Sequence, residues 1–182
     1  MKKLVLAITA LSISMLTFAQ AEKTVMVGGA AMYPSKNIVE NAVNSKDHTT
    51  LVAAVKAAGL VETLVSEGPF TVFAPTNAAF DKLPAGTVGT LVKPENKETL
   101  TKILTYHVVA GKVSSADLLK LIKNGNGKAV VTTVSGGKLT AMRNGKKITL
   151  MDEKGGKATV TIKDVNQSNG VIHVIDSVLL PK

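Results

Sequence analysis

Thirteen residues, Gly68-Pro69-Phe70-Thr71-Val72-Phe73-Ala74-Pro75-Thr76-Asn77-Ala78-Ala79-Phe80, predict a strand followed at once by a helix. Between its two prolines the stretch alternates as an extended chain does, with Phe70 and Val72 on one face. After the second proline, Thr76 or Asn77 offers a side-chain oxygen to the free amides of a first helical turn. Three of the chain's four phenylalanines lie here. Because each can bury a large apolar area, we expect a packing centre at this corner.

Helical patterns lie on both sides of this corner. Before it, Asp47 can cap a helix whose apolar residues recur at helical spacing. After it, Pro94 opens a helix that carries His107 near its end. Ser114 or Ser115 can cap a further short helix. The first part of the chain is therefore predicted to be mainly helical.

The second part of the chain changes to the two-residue period of strands. Glycine-bearing turns separate these strands and allow the positive φ angles of tight hairpins. The predicted strands cover residues 129–134, 138–142, 147–151, 158–162 and 171–175. Helices followed by hairpins indicate an α+β domain.

Three motifs together resemble the fasciclin (FAS1) domain family. The first is the stretch quoted above, and the second is Tyr106-His107-Val108-Val109-Ala110-Gly111. The third is Asn169-Gly170-Val171-Ile172-His173-Val174-Ile175-Asp176-Ser177-Val178-Leu179-Leu180-Pro181. The resemblance extends from about Asn37 to Pro181, so we expect one FAS1 domain over residues 37–182. It implies a β-sandwich or wedge of two small sheets with helices packed along one side.

The resemblance also suggests roles for individual residues. In animal members the Tyr-His region is implicated in adhesion, so Tyr106 and His107 are the candidate binding residues. The favoured interpretation is nevertheless structural, because a histidine on the apolar side of a helix end most simply bonds to a loop backbone. His173 is expected to face away from its apolar neighbours in a strand. The remaining signature residues are expected to be structural: Phe70, Phe73, Pro75, Thr76, Asn77, Phe80, His173 and Asp176.

The first residues have the three parts of a secretory signal peptide: two lysines, an apolar stretch, and Ala19-Gln20-Ala21. Residues 1–21 are predicted to be this peptide, with cleavage after Ala21, and residues 22–36 to be a flexible leader. No later stretch is long and apolar enough to predict a membrane span. The expected location is therefore the periplasm, the medium or the cell surface. The absence of cysteine excludes a disulfide and a lipoprotein anchor.

The chain is strongly basic, with 22 Lys and Arg against 13 Asp and Glu and a net charge of +9. The predicted cleavage removes two lysines, which leaves a net charge of +7. Such a balance favours encounters with acidic surfaces such as anionic glycans. Arg143 is the only arginine, and no aromatic residues alternate with the lysines, so nucleic acid is not expected as a partner.

Catalytic motifs do not emerge from the sequence. It has three histidines, His48, His107 and His173, at none of the spacings that gather zinc, and it has no nucleophile elbow or P-loop. Asp164-Val165-Asn166-Gln167-Ser168-Asn169-Gly170 faintly resembles the start of a calcium loop, but its glycine is one residue late and the bidentate glutamate is missing. A polar turn is the preferred interpretation. No metal or other cofactor is expected.

Two functional hypotheses follow. The first, implied by the resemblance, is an exported, non-enzymatic module for adhesion or for attachment to a surface or extracellular matrix. Its expected partner is a surface protein or an anionic glycan, with self-association as a further option. The alternative is a periplasmic or secreted protein that holds a small apolar ligand between helices and sheets.

Overall fold

The structure, a computed structural model, describes residues 23–182, so the predicted signal peptide over residues 1–21 lies outside the described residues. The described part contains both helices and strands, which confirms the predicted α+β class. Its helices are α1 (Ile38–Ala42), α2 (Thr49–Ala58), α3 (Val61–Val65), α4 (Asn77–Phe80), α5 (Thr87–Leu91), α6 (Lys97–Tyr106) and α7 (Ser115–Asn124). Its strands are β1 (Val25–Val27), β2 (Ala30–Met32), β3 (Phe70–Pro75), β4 (Val108–Ala110), β5 (Lys128–Thr132), β6 (Lys138–Asn144), β7 (Lys147–Met151), β8 (Lys157–Gln167) and β9 (Gly170–Ile175).

The strands form two sheets of unequal size. Strands β1 and β2 pair with each other, and the other seven form one sheet in the order β4-β3-β9-β8-β7-β6-β5. Within it, β3 and β9 run parallel while the other neighbours run antiparallel. The predicted meander is thus β5 to β8, and the first and third motifs lie side by side as the parallel pair. Their contact places the two signatures on the second and third strands of the sheet, next to the β4 edge.

Strand β3 separates the two apolar cores of the domain. Val72 packs into a helix-side core with residues of α1, α2 and α6, whereas Phe73 packs into a second core under α7 and the meander. The alternation predicted for the first motif therefore buries both of its faces. The strand ends at Pro75, and the Thr76 side chain accepts a hydrogen bond from the amide of Ala79 at 3.3 Å. Thr76 is thus the cap of α4.

Asn77 caps a different helix from the one it begins. Its Oδ1 accepts from the amide of Thr50 at 3.0 Å, in the first turn of α2. Its Nδ2 donates to the carbonyl of Lys46 and to Oγ1 of Thr49, both at 2.9 Å. The predicted cap, Asp47, lies instead in a 3₁₀ turn before α2 and makes no cap bond. The prediction that Asp47 caps α2 was wrong, because Asn77, 27 positions after Thr50, supplies the capping oxygen.

Residues 23–36 do not form the loose leader that the sequence predicts. Strands β1 and β2 form a hairpin in which Val27 pairs with Ala30, and Val27 and Met32 are buried in the helix-side core. Gly28 and Gly29, with φ angles of +58° and +78°, form its turn. Because each strand has only three residues, the two-residue period is too short to be recognised in the sequence.

Strand β8 is longer than predicted and passes through the region interpreted as a polar turn. Its register against β9 shifts twice between Val160 and Val165. Asp164 lies in this irregular part with a φ of +58°, and its carboxylate binds the backbone and side chain of Ser115. The predicted turn is confined to Ser168 and Asn169. The prediction was wrong for residues 164–167, because a β-bulge accommodates these polar residues without ending the strand.

Candidate functional site

Tyr106 and His107 lie where α6 ends and β4 begins. The apolar face of α6, formed by Leu100, Ile103 and Leu104, is buried and brings both residues inside with it. Tyr106 is completely buried, and His107 is 3% exposed. The candidate binding residues therefore lie beneath the surface of the protein.

Both ring nitrogens of His107 are used within the chain. Nε2 accepts from the amide of Leu179 at 3.0 Å, so the proton lies on Nδ1, which donates to the carbonyl of Ile103 at 2.8 Å. Burial lowers the pKa of His107 to about 4, although the bond to Ile103 and the charge of Asp152 oppose the shift. The neutral ring ties α6 to the C-terminal signature.

Tyr106 bridges α6 to the β-meander. Its hydroxyl donates to the carbonyl of Lys138 at 2.7 Å and accepts from the amide of Glu153 at 3.2 Å. Burial raises the pKa of this phenol, and the ring meets His107 edge to face with centroids 6.5 Å apart. A Cβ on Gly137 would come within 2.5 Å of the Tyr106 ring, so this turn glycine also makes room for it.

His173 has the orientation that the sequence predicts. It faces away from Ile172 and Val174 and stacks on Phe73, with ring centroids 5.7 Å apart. Its Nδ1 accepts from the amide of Asp164 at 3.2 Å, and its Nε2 donates to the carbonyl of Val113 at 2.9 Å. Burial lowers the pKa of His173.

Ser115, Asp164 and His173 come together, but not as a hydrolytic triad. A triad needs the histidine between the nucleophile and the carboxylate. Here the Ser115 hydroxyl donates directly to the carboxylate of Asp164, while His173 uses its Nε2–H on a backbone carbonyl. This arrangement cannot pass the proton of Ser115 to the imidazole.

The other signature residues join β3 and β9 to their neighbours. The amide of Thr76 donates to the carbonyl of Ile175 at 3.3 Å. Oδ1 of Asp176 accepts from the amide of Thr159 at 2.8 Å, which continues the β8–β9 pairing beyond β9. Phe80 is buried in the helix-side core.

Asn169 organises a junction that sequence reasoning missed. Its side chain accepts from the amide of Ile38 at 3.1 Å and donates to the carbonyls of Leu64 and Ser66 at 2.8 and 2.9 Å. Its carbonyl accepts from the amide of Phe70 at 3.0 Å. In the sequence, Asn169-Gly170 signals only a turn, because its partners are distant in the chain.

His48 is a second buried group that the sequence does not distinguish. Its Nδ1 lies 2.9 Å from Oγ of Ser45, and among the described residues its Nε2 has no partner at hydrogen-bonding geometry. Burial lowers the pKa of His48, and the nearby Ala74 backbone opposes the shift only partly. The ring lines an apolar cavity of about 70 Å³ between the first helices and β3.

The surface above the Tyr-His region is partly apolar. Val134, which is 48% exposed, donates its amide to the carbonyl of Val108 at 2.7 Å, directly after His107. Thr105 beside it is half-buried. Val134 and Thr105 are therefore more accessible to a partner than Tyr106 or His107.

Within residues 23–182, no cluster of three or more His, Asp or Glu side chains is placed to hold a metal ion. Across the same residues, no helix has the length and apolar character needed to span a bilayer.

A model of the fasciclin domain matches residues 46–181. The Synechocystis protein sll1483 is 50% identical over 181 residues, which cover 96% of this chain and 93% of that protein. The immunogenic protein MPB70 of Mycobacterium bovis is 41% identical over 145 residues, which cover 77% of this chain and 66% of that protein.

A solved structure shares the fold. It is a FAS1 domain pair from the insect cell adhesion molecule fasciclin I, with a TM-score of 0.71 and 20% sequence identity. The match covers 81% of this chain and 52% of the insect chain, so this chain spans about half of that domain pair. The wedge-like arrangement of a large sheet, a small sheet and helices is thus a FAS1 fold.

Proposed function

The chain belongs to the fasciclin domain family, and from this premise we propose that it is an exported, non-enzymatic module for cell adhesion or for attachment to a surface or extracellular matrix. One observation carries the proposal: the polar side chains of all three signatures are bonded within the domain. Tyr106, His107 and His173 lock secondary structures together, so contact with a partner falls to the outer surface. Fasciclin I, which shares the fold, is itself named as a cell adhesion molecule.

Export supplies the location that this function needs. The proposed cleavage after Ala21 would release residues 22–182 to the periplasm, the medium or the cell surface. The intact mass of the protein recovered from the producing cells tests this step. A mass equal to that of residues 22–182 supports it, and a mass that includes Met1 or the apolar stretch contradicts it.

Binding to the producer's own cells tests the proposed function. Fluorescent mature protein is incubated with these cells at low and high salt. Binding at either salt concentration supports attachment, and the absence of binding at both contradicts it. Sensitivity to salt would identify exposed charges as the main contact, because ions screen them.

A small apolar ligand is the second candidate function, and the cavity beside His48 favours it. Its walls are almost wholly apolar, and the unpartnered Nε2 could bond to one polar atom of a ligand. Its volume of about 70 Å³ is, however, about half that of a cavity known to admit benzene. Native mass spectrometry distinguishes the candidates: a stoichiometric adduct supports ligand binding, and its absence favours attachment.

A further inference from the structure

The register of the meander gathers lysines on one face of the sheet. Lys157 pairs with Met151, and Met151 pairs with Thr140, which lies two residues from Lys138. Lys128 pairs with Met142, and Met142 pairs with Thr149, which lies two residues from Lys147. Paired residues and residues two apart share a face. The surface formed by Lys128, Lys138, Lys147 and Lys157 is called the lysine face, and all four side chains are exposed.

The inner side of the same strands is apolar. Leu139, Ala141, Ile148 and Leu150 are buried in the core under α7. The alternation therefore leaves no freedom for the lysines to turn inward, because a one-residue slip would expose the core. The sheet therefore fixes the backbone positions from which the four lysines project.

No carboxylate neutralises the lysine face. Its outward positions on β5, β6, β7 and the first half of β8 include no Asp or Glu. Within residues 23–182, the only ion pair joins Lys120 and Asp117 on α7. The carboxylates at its margins are Glu153, which accepts from the amide of Lys138 at 3.2 Å, and Asp176, which accepts from the amide of Thr159.

Polar groups that can bond to sugars lie between the lysines. Thr140 and Thr159 are half-buried on this face and present hydroxyl groups. At one end, the turn between β6 and β7 adds the exposed cation Lys146. The same side of the sheet also carries the apolar side chains of Val130, Met142 and Met151. The face thus combines separated point charges with neutral hydrogen-bonding groups and a smaller apolar part over four strands.

We propose that the lysine face binds an acidic polysaccharide, and this inference rests on the proposed attachment function. Unneutralised lysines attract a regularly charged polyanion, and the threonine hydroxyls suit its neutral hydroxyls. Nucleic acid fits less well because the face has no aromatic platform and no arginine. A membrane surface fits less well because the face has no Trp or Tyr to enter the interface.

The test measures binding of the mature protein to immobilised alginate, a polyuronate, with neutral dextran as the blank. The test variant replaces Lys128, Lys138, Lys147 and Lys157 by Gln, and a second variant replaces them by Arg. The matched control replaces four exposed lysines on other surfaces by Gln: Lys56, Lys93, Lys97 and Lys112. Circular dichroism and melting temperature establish that each variant is folded.

We expect the four-Gln variant of the lysine face to bind alginate at least roughly tenfold more weakly at low salt, given four lost contacts to an anionic surface. The Arg variant and the matched control should bind within about twofold of the unaltered protein, because the first keeps the charges and the second keeps the face. Equal losses in both Gln variants would overturn the proposal, since net charge alone would then explain binding. Stronger binding to anionic phospholipid vesicles than to alginate would also overturn it.

The same variants on the producer's cells separate this inference from the proposed function. If the unaltered protein and the four-Gln variant bind the cells equally, attachment stands and the lysine face is not the contact. If the unaltered protein binds no cells, attachment itself is contradicted. Loss of cell binding in the four-Gln variant alone supports both.

Discussion

Tyr106 and His107 belong to a motif that suggests a binding site, yet both residues stabilise the fold. Both were candidate binding residues, and both lie inside the domain with their polar atoms bonded to backbone groups. Truncating Tyr106 to Ala would open a cavity in the core, so lost binding in that variant could not be attributed to a lost contact. Removing only the hydroxyl oxygen of Tyr106 is the more specific experiment.

Tyr106→Phe is expected to lower the free energy of unfolding by about 2 kcal/mol, because the carbonyl of Lys138 and the amide of Glu153 lose their partner. Urea unfolding measures the change. Tyr33→Phe is the matched control, since Tyr33 is the other tyrosine and is 39% exposed. Equal stability of the Tyr106 and Tyr33 variants would show that the bridge contributes nothing.

Helix α2 depends on an oxygen from the first signature. Asn77 binds the amide of Thr50 and two oxygens before it, so the corner after β3 holds the start of α2 as well as of α4. This contact explains why the first signature combines a strand end with two adjacent capping residues. Thr76 caps α4, which follows it directly, and Asn77 caps α2, which lies earlier in the chain.

Asn77→Ala should destabilise the domain by about 1–2 kcal/mol, the range measured for lost helix caps. Asn124→Ala, at the exposed end of α7, is the matched control and should change stability by less than about 0.5 kcal/mol. Thermal unfolding of the three proteins provides the comparison. A control as destabilised as Asn77→Ala would argue against the capping role.

The N-terminal hairpin belongs to the fold and not to a linker. Met32 is 2% exposed and packs in the helix-side core, whereas Met26 on the paired strand is 60% exposed. Met32→Ala is expected to cost about 2–4 kcal/mol, because it leaves a cavity. Met26→Ala should cost less than about 0.5 kcal/mol.

Chemical denaturation of these two methionine variants tests the hairpin directly. The substitution is the same and the positions are six residues apart, so the difference reports burial. If both variants were as stable as the unaltered protein, residues 25–32 would be dispensable, as the leader prediction implies.

At the scale of the whole molecule, the three histidines are all buried and each has a lowered pKa. They lie on the helix side, at the end of α6 and within β9, so buried neutral rings occur in both cores. In the folded protein each ring stays neutral below the pKa of 6.5 at which an unfolded chain takes up its proton.

Stability should therefore be full above pH 6.5 and decrease as the pH falls, for His107 over the range down to about pH 4. Each histidine contributes a slope of up to about 1.4 kcal/mol per pH unit. Urea midpoints between pH 6.5 and pH 5 isolate the effect, since most carboxylates remain ionised there. A constant free energy of unfolding across this interval would contradict the burial of the three rings in their neutral form.

The sequence predicted elements best where the pattern was local. The β3 strand, the end of α6 at His107 and the hairpins of the meander follow from alternation, helical spacing and turn glycines within a few residues. The cap of α2, the β1–β2 hairpin and the bulge at Asp164 were wrong or missed. The cap and the bulge depend on contacts with distant segments, which a window along the chain does not contain, and the strands of the hairpin are too short to show a period.

The sequence by itself determined the α+β class, the FAS1 resemblance, the strand-to-helix corner and the basic charge. Only the tertiary structure decided that Tyr106 and His107 are buried, that Asn77 and Asn169 connect distant elements, and that four lysines share one face without a carboxylate. The physical reason is that periodicity and capping act over a few residues, whereas burial and register depend on which segments meet. The first motif, residues 68–80, therefore specifies the scaffold. The arrangement of the strands specifies which side chains the domain presents at its surface.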